Sequence, residues 1–412
     1  MNIYIQHFSK MIRPTLIILL FCVGFSFSSS AQANRGKPLS DKASVSLLTA
    51  APGPEVYSQY GHTAIRICDP NNHFDLVFNY GLFDFDSPNF IWRFVTGQTD
   101  YIVGATSYMD FLLEYQVGNR TVTEQVLNLK SEEKEKLWQA LIKNIQPENR
   151  TYRYNFFFNN CATKPRDMIA SAIAGKVDYQ WNGRFKSLRD EVHFFTDKYP
   201  WTQFGIDFAL GSPADDSANL KAQQFAPDVL MESFSKAIIM NDSAQARLLV
   251  LETRHPVVTD PSVSKKAFSF PKPIIVLWII FVVIAVVSYF EIKGKKQFHI
   301  VNAIIFGIAG IIGTIIAFFV FFSIHPTTNI NFLLLWLHPL HLVYAICLAI
   351  PSLRNRIALT YLGINLPFQI FALAGSLFLP QNFHPAMYPL LLILILRSSM
   401  ALWLFKKNHA NA

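Results

Sequence analysis

The chain has 412 residues, 51% of them hydrophobic and only 16% charged, with a mean hydropathy of +0.25. Soluble proteins carry about 25% charged residues, so this composition excludes a disordered chain and argues against a purely soluble protein. The net charge of +8 does not indicate nucleic acid, because residues 34–270 hold 25 basic and 27 acidic residues while residues 271–412 hold nine basic residues and one acid, Glu291. Positive charge beside apolar segments sets membrane orientation.

Residues 1–33 have the form of a secretory signal peptide. Lys10 and Arg13 supply the charged start, Thr15 to Phe27 the apolar run, and Ala31-Gln32-Ala33 an A-x-A cleavage site. An N-terminal anchor is the alternative. Residues 34–255 then mix charges, strand patterns and helix patterns as a folded domain does, and this domain is expected outside the cytoplasm. A proline-containing linker, 256–273, leads to a tail with five apolar stretches at Ile274–Phe290, Ile300–Phe322, Phe332–Ile350, Ile357–Leu379 and Pro389–Phe405. Each can cross a hydrocarbon core of about 30 Å. Lys293, Lys295 and Lys296 follow the first stretch, Arg354 and Arg356 precede the fourth, and Lys406 and Lys407 follow the fifth. The other two loops carry no Lys or Arg. The positive-inside rule therefore predicts a multi-pass membrane protein with an exported domain and a cytoplasmic segment 406–412.

Two cysteines, Cys68 and Cys161, fall in the exported domain. A disulfide between them is one reading, since an oxidising compartment permits it. A catalytic thiol is the other. Residues 152–158 read as an aromatic-rich strand and Thr163 to Ala174 as a helix with Pro165 in its first turn. Cys161 then stands at a helix start, where orphan amides and the dipole favour a thiolate, with Lys164 and Arg166 adding positive charge. A thiol nucleophile needs a base. His255 lies at the linker, His193 in an amphipathic helix and His73 in a turn. His62 opens a strand directly after Gly61.

Strands 62–68 and 73–80 flank a turn at Asp69–Asn72. Pairing Cys68 with His73 sets His62 opposite Asn79 and Arg66 opposite Asp75, an opposite-charge cross-strand pair. Asn79 is thereby the expected orienting partner of His62, as in Cys-His-Asn sites. Were the register off by two, Tyr60 or Asp84 would be the nearest polar substitutes.

A His on an early strand, a polar partner on the next and Asn-Cys at a later helix start resemble the permuted NlpC-type papain-like fold. The stretches Tyr60-Gly-His-Thr-Ala-Ile-Arg, Phe78-Asn-Tyr-Gly-Leu-Phe-Asp-Phe, Asn119-Arg, Pro147-Glu-Asn-Arg-Thr-Tyr-Arg-Tyr-Asn-Phe-Phe and Asn160-Cys-Ala-Thr-Lys-Pro-Arg-Asp resemble the Lnb family of bacterial envelope proteins. So do Phe204-Gly-Ile-Asp-Phe-Ala-Leu-Gly, Phe225-Ala-Pro-Asp and His325-Pro-Thr-Thr-Asn-Ile-Asn in the tail. The resemblance implies an α+β exported domain with a multi-span tail, which the five apolar stretches make an all-α five-helix membrane bundle. It also implies a lipoprotein N-acyltransferase without cofactor or metal. Its donor would be a membrane phospholipid and its acceptor the α-amine of a diacylglyceryl-cysteine lipoprotein. Cys161 would be the nucleophile and His62 the base; Asn79 rests on the register.

The helix-start amides and Asn160 are candidates for holding an oxyanion. Residues 90–115, rich in aromatics, are a candidate surface for acyl chains or ordinary core. The loops around His325, Asn329 and Asn331 and around His384 are interfacial turns or a platform for lipid headgroups. Arg397, near the middle of the last span, is a functional candidate because an intramembrane charge is costly; phosphate binding and pairing within the bundle are both open. Two other classes stand beside the acyltransferase. One is an NlpC-type envelope peptidase or amidase, against which the long membrane tail argues. The other is a non-enzymatic envelope assembly protein.

Overall fold

The computed structural model describes residues 37–83, 88–240, 246–260 and 270–410. The expected signal peptide, Asp84, and Lys265 and Lys266 of the linker lie outside the described residues.

The first domain is built on a seven-stranded antiparallel sheet. Its strands are β1 (Ser44–Ala50), β2 (His62–Asp69), β3 (Phe74–Phe83), β4 (Asp100–Ser107), β5 (Val122–Leu127), β6 (Thr151–Arg153) and, after three further short strands, β10 (Val250–Val257). The order across the sheet is β10-β5-β1-β2-β3-β4-β6. A side sheet joins β7 (Lys176–Asp178), β8 (Ile238–Met240) and β9 (Ala246–Leu248). β10 completes the large sheet from the far end of the domain, so the first residues of the expected linker belong to a strand.

Alternation along the strands assigns two faces. Val45, Leu47, Ile65, Ile67, Leu76 and Phe78 turn to one face, which is covered by Leu137, Trp138 and Leu141 of helix Ser131–Asn144 and by Ile169 and Ala172 of helix Thr163–Ala172. Trp138 is fully buried and stacks on Phe74 at 4.9 Å. Burying a side chain of this kind contributes roughly 1.5–3 kcal/mol. Leu48, Ala50, Ala64 and Val77 turn to the other face, under Phe111 and Tyr115 of helix Tyr108–Val117. His62, Arg66 and Asn79 share that second face.

The hairpin β2–β3 differs from the expected pairing by two residues. Ala64 pairs with Asn79, Arg66 with Val77 and Asp69 with Phe74. Asp69 explains the shift. Its carboxylate accepts from the amides of Ser40, Asn71 and Asn72, which makes it the last strand residue rather than the first turn residue. His73, with φ +56, closes the turn instead. A shift of two keeps every side chain on its face. Arg66 still reaches Asp75 diagonally, at 2.8 and 2.6 Å, and also holds buried Glu124 at 2.7 Å.

Residues 273–410 form a helical bundle. Helices Pro273–Gly294, His299–Phe322, Leu340–Ala349, Pro351–Gly375 and Met387–Ala410 follow one another, with a 3-10 turn at Phe332–Leu335. Among the described residues, four segments are long and apolar enough to cross a membrane: Pro273–Gly294, His299–Phe322, Phe332–Ala349 and Met387–Lys407. Helix Pro351–Gly375 is packed beside the third and the last of them.

The loops at the domain-side end of the bundle dock the domain. The Ile324 amide donates to Thr96 O at 3.0 Å, and His325 Nε2 donates to Phe94 O at 3.1 Å. Amides of Gly211 and Ser212 donate to Thr327 O and Ile330 O at 2.8 and 2.7 Å. Asn331 Nδ2 donates to Phe208 O, and Gln381 Nε2 to Leu210 O. A Cβ on Gly211 would stand 2.2 Å from Ile330 O, so only glycine admits this approach. His325 and Asn331 thus serve the domain interface, which favours the interfacial-turn reading over the headgroup platform. Asn329 is exposed beside a shallow recess lined by Val320, Ile330 and Leu334.

Arg397 is also resolved by its neighbours. It is fully buried and pairs with Glu291, while Ser288 Oγ and Asn302 Oδ1 accept from it at 2.9 and 2.7 Å. Its charge is spent within the bundle, which removes it as a phosphate ligand.

Candidate functional site

His62 is the first residue of β2, held in place by the β1 pairing of Ala50 with His62. Asn79 is two residues short of the position opposite it, yet their side chains meet: His62 Nε2 and Asn79 Oδ1 are 3.2 Å apart. Diagonal neighbours on one face of a sheet are within reach of long side chains. The expectation that this register would hand the orienting role to Tyr60 or Asp84 is therefore corrected. Asn79 Nδ2 donates to Thr106 Oγ1 at 3.3 Å, which turns its oxygen toward the imidazole. Nε2 is then the protonated nitrogen and Nδ1 the free acceptor.

Cys161 arrives at the same strand ends. The segment before it is not the expected long strand. Only Thr151–Arg153 is extended, and residues 155–159 form a tight turn in which Asn155 Oδ1 accepts from the amides of Phe157 and Phe158 at 3.1 Å. The helix begins at Thr163 with Pro165 in its first turn and ends at Ala172. Asn160 Oδ1 accepts from the amides of Ala162 and Thr163 at 2.9 Å, capping that turn. Its Nδ2 donates to Phe156 O and Phe225 O at 2.8 and 2.9 Å. Both amide hydrogens are committed, so Asn160 is a cap and not an oxyanion donor. The Thr63 amide and the Cys161 amide both donate toward the sulfur.

Gly81 makes room for the thiol. It lies in a β-bulge between Asn79 and Leu82, with φ +89, and a Cβ there would stand 3.4 Å from Cys161 Cβ. The sulfur also faces phenols. Tyr101 and Tyr154 stack at 4.0 Å, and burial together with the nearby Cys161 raises both hydroxyls, that of Tyr101 to about 12.

The electrostatics differ from the expected preformed thiolate. Burial pushes the Cys161 thiol up to about 11, and the amides of Thr63 and Cys161 and the charge of Arg120 offset this only in part. Burial lowers His62 to about 4; the Asn79 bond opposes this and Arg120 adds to it. Desolvation outweighs helix-start stabilisation because the helix is short and the site is enclosed. At neutral pH the pair is thiol and neutral imidazole. Lys164 and Arg166 do not act on the sulfur. Lys164 Nζ lies 4.9 Å from the Tyr152 ring centroid, and Arg166 bonds to Asp167 and Lys221 O. Alkylation of Cys161 by iodoacetamide is therefore expected to be slow at pH 7 and to rise about tenfold per pH unit until near pH 11. Peptide mass spectrometry against pH checks this, and a rate already flat by pH 7 would contradict the assignment.

Cys68 and Cys161 are both free thiols. Six residues of β2 separate Cys68 from His62, about 20 Å at strand rise, which removes the disulfide reading. His193 bonds Asp207 at 2.8 Å, and Arg189 pairs with the same carboxylate. His255 is exposed beside Thr123. Sequence reasoning passed over three contributors: Thr106, the Thr63 amide and Arg120. The Asn119-Arg stretch was the one available signal, and it carried no role.

An imidazole aligned by an amide, next to a half-buried thiol at a helix start, defines a thiol-imidazole site on an α+β domain docked to membrane helices. The family model described as the Lnb N-terminal periplasmic domain matches residues 32–190, and the Lnb transmembrane domain matches residues 265–409. The chain belongs to the Lnb family, with a periplasmic N-terminal domain and a membrane-embedded C-terminal region. No curated protein and no solved structure matches it.

Proposed function

We propose that this chain is a thiol-dependent lipoprotein N-acyltransferase. The observation that carries the reading is the His62–Asn79 hydrogen bond beside a thiol that receives the Thr63 amide, on a domain locked to membrane helices. Cys161 is the nucleophile, His62 the general base and Asn79 its orienting partner. In the first step the sulfur attacks a phospholipid ester while His62 Nδ1 takes the thiol proton. The C–O bond breaks, the leaving alkoxide takes that proton, and an acyl-thioester remains on Cys161. In the second step the α-amine of a diacylglyceryl-cysteine attacks the thioester. His62 accepts the amine proton and returns it to the departing sulfur. In this reading the Cys161 amide, which donates toward the sulfur in the resting site, holds the oxyanion as it forms.

The geometry suits lipids on both sides of the reaction. Helix Phe90–Thr96 rests on the bundle through Trp92, 5.1 Å from Phe318, and presents exposed Ile91. A thiol held at the membrane edge meets donor and acceptor in one leaflet, which raises effective concentration. The same reading takes the permuted NlpC-type arrangement for a periplasmic domain that closes with β10 at Val257, a membrane domain over 274–405 with five spans, an inner-membrane location and a cytoplasmic C-terminus. No cofactor or metal enters the steps.

Mass spectrometry of lipoprotein N-termini in a deletion strain tests the reading. The extra acyl group should be absent there and restored by the wild-type gene. Unchanged N-acylation in the deletion strain would sink it. Asn79→Ala should lower turnover roughly 10- to 100-fold, short of the roughly 10²–10⁴-fold that a general base supplies. Steady-state rates in bilayer nanodiscs check this. Asp75→Ala, which leaves Arg66 on Glu124, should cost about 0–1 kcal/mol of stability and little activity.

A further inference from the structure

Arg120 is an unspent cation at this site. It stands two residues before β5, and Ala51, to which it is tied, follows the β1 residue that pairs with His62. Its Nε donates to Ala51 O at 2.8 Å, and its guanidinium lies 4.8 Å from the Tyr115 ring centroid. These contacts fix the plane of the group. Nη2 donates to no protein acceptor, and the side chain as a whole is only half-buried, so the guanidinium is not sealed inside the protein. Among the described residues no carboxylate forms an ion pair with it; Glu114, the acid that feels its charge, is exposed. A guanidinium with an unmet donor is costly to keep out of water, and an anion reaching its half-buried fork would lower that cost.

The reacting centre already has its donors in the Thr63 and Cys161 amides. Arg120 is held beside them at the protein's Ala51 edge, next to the exposed ring of Tyr57. A glycerophospholipid whose ester lies at the sulfur carries an anionic phosphodiester one glycerol unit away. The planar fork of Arg matches phosphate oxygens better than any other side chain does. We infer that Arg120 is the phosphodiester-holding residue of the thiol site, so that the site takes a glycerophospholipid in preference to a neutral glyceride. This rests on the reading of Cys161 as the acyl-accepting thiol.

The test uses the full chain as Cys161→Ala in detergent micelles, with dihexanoyl-phosphatidylglycerol and dihexanoylglycerol as probes. The phospholipid should bind at least about tenfold more tightly than to the same protein carrying Arg120→Gln as well, with glyceride affinity unchanged. Arg120→Lys, which keeps the charge without the fork, should fall between. Equal phospholipid affinity with and without Arg120 overturns the inference, as does an equal loss for both probes, which would mark a merely structural residue. A second measurement needs no variant. Glycerophosphoglycerol should slow alkylation of wild-type Cys161 by iodoacetamide, read on its peptide, while glycerol at the same concentration should not. Absence of that protection also overturns it. Neither readout requires acyl transfer, so a chain that failed to acylate lipoproteins would leave this result standing by itself.

Discussion

Cys161→Ala is expected to abolish lipoprotein N-acylation while the protein folds as before. The structure separates the two effects. The helix start is held by Asn160, whose side chain caps Ala162 and Thr163 and ties down Phe156 and Phe225. None of those bonds uses the sulfur. Removing it takes away the atom that forms the thioester, and His62, with its ring still aligned by Asn79, has nothing to deprotonate. Cys161→Ser should be equally inactive. A hydroxyl is far harder to ionise than a thiol, and the neutral imidazole here, lowered to about 4, is a weak base. Mass spectrometry of lipoprotein N-termini from complemented strains reads the outcome, together with thermal melts of each purified variant. Wild-type acylation by Cys161→Ala would end the thiol mechanism. Cys68→Ser should keep full activity, because Cys68 lies at the opposite end of β2 against Asp75. The pH profile of the wild-type enzyme follows from the same geometry. Activity should rise toward pH 8 as the acceptor amine, with a pKa of about 7.7–8.0, loses its proton. It should not fall through protonation of His62 until the pH approaches 4.

The largest stability effect is expected in the membrane half. Glu291 and Arg397 are fully buried, and Asn302 and Ser288 supply further acceptors to the guanidinium. Glu291→Gln leaves the guanidinium charge without its counter-ion in a low-dielectric interior. Breaking a buried pair from one side costs about 3–5 kcal/mol, whereas replacing both partners with apolar groups is often neutral. The double variant Glu291→Leu, Arg397→Met should therefore melt well above Glu291→Gln alone and retain acyl transfer. Detergent-solubilised melts of the single and double variants give the comparison. A Glu291→Gln protein as stable as wild type would show that the pair is not what holds the first and last helices together. Loss of transfer in a well-folded double variant would return Arg397 to the reaction.

Much of this architecture is written in local pattern. Period-two alternation puts His62, Arg66 and Asn79 on one face of the hairpin whichever even register is adopted, which is why the His62–Asn79 contact survives an error of two residues in pairing. Pro165 and the Asn-Cys step mark a helix start, since proline lacks the amide that a later position would need. Apolar run lengths and loop charges expose a membrane half after residue 270. Tertiary structure decided the rest. Asp69 ended β2 one residue later than the turn chemistry implied, because Ser40, distant in sequence, donates to its carboxylate. Sequence left the outer loops as turns or a lipid platform, and Phe94, Phe208 and Leu210 claim their donors. Arg397 looked unpaired in its span, and its carboxylate came from a helix about a hundred residues earlier. Arg120 and the neutral thiol-imidazole pair were invisible for the same reason. Pattern along a chain reports which face a residue takes, whereas burial, desolvation and the last hydrogen-bond partner depend on groups that only the folded protein brings together.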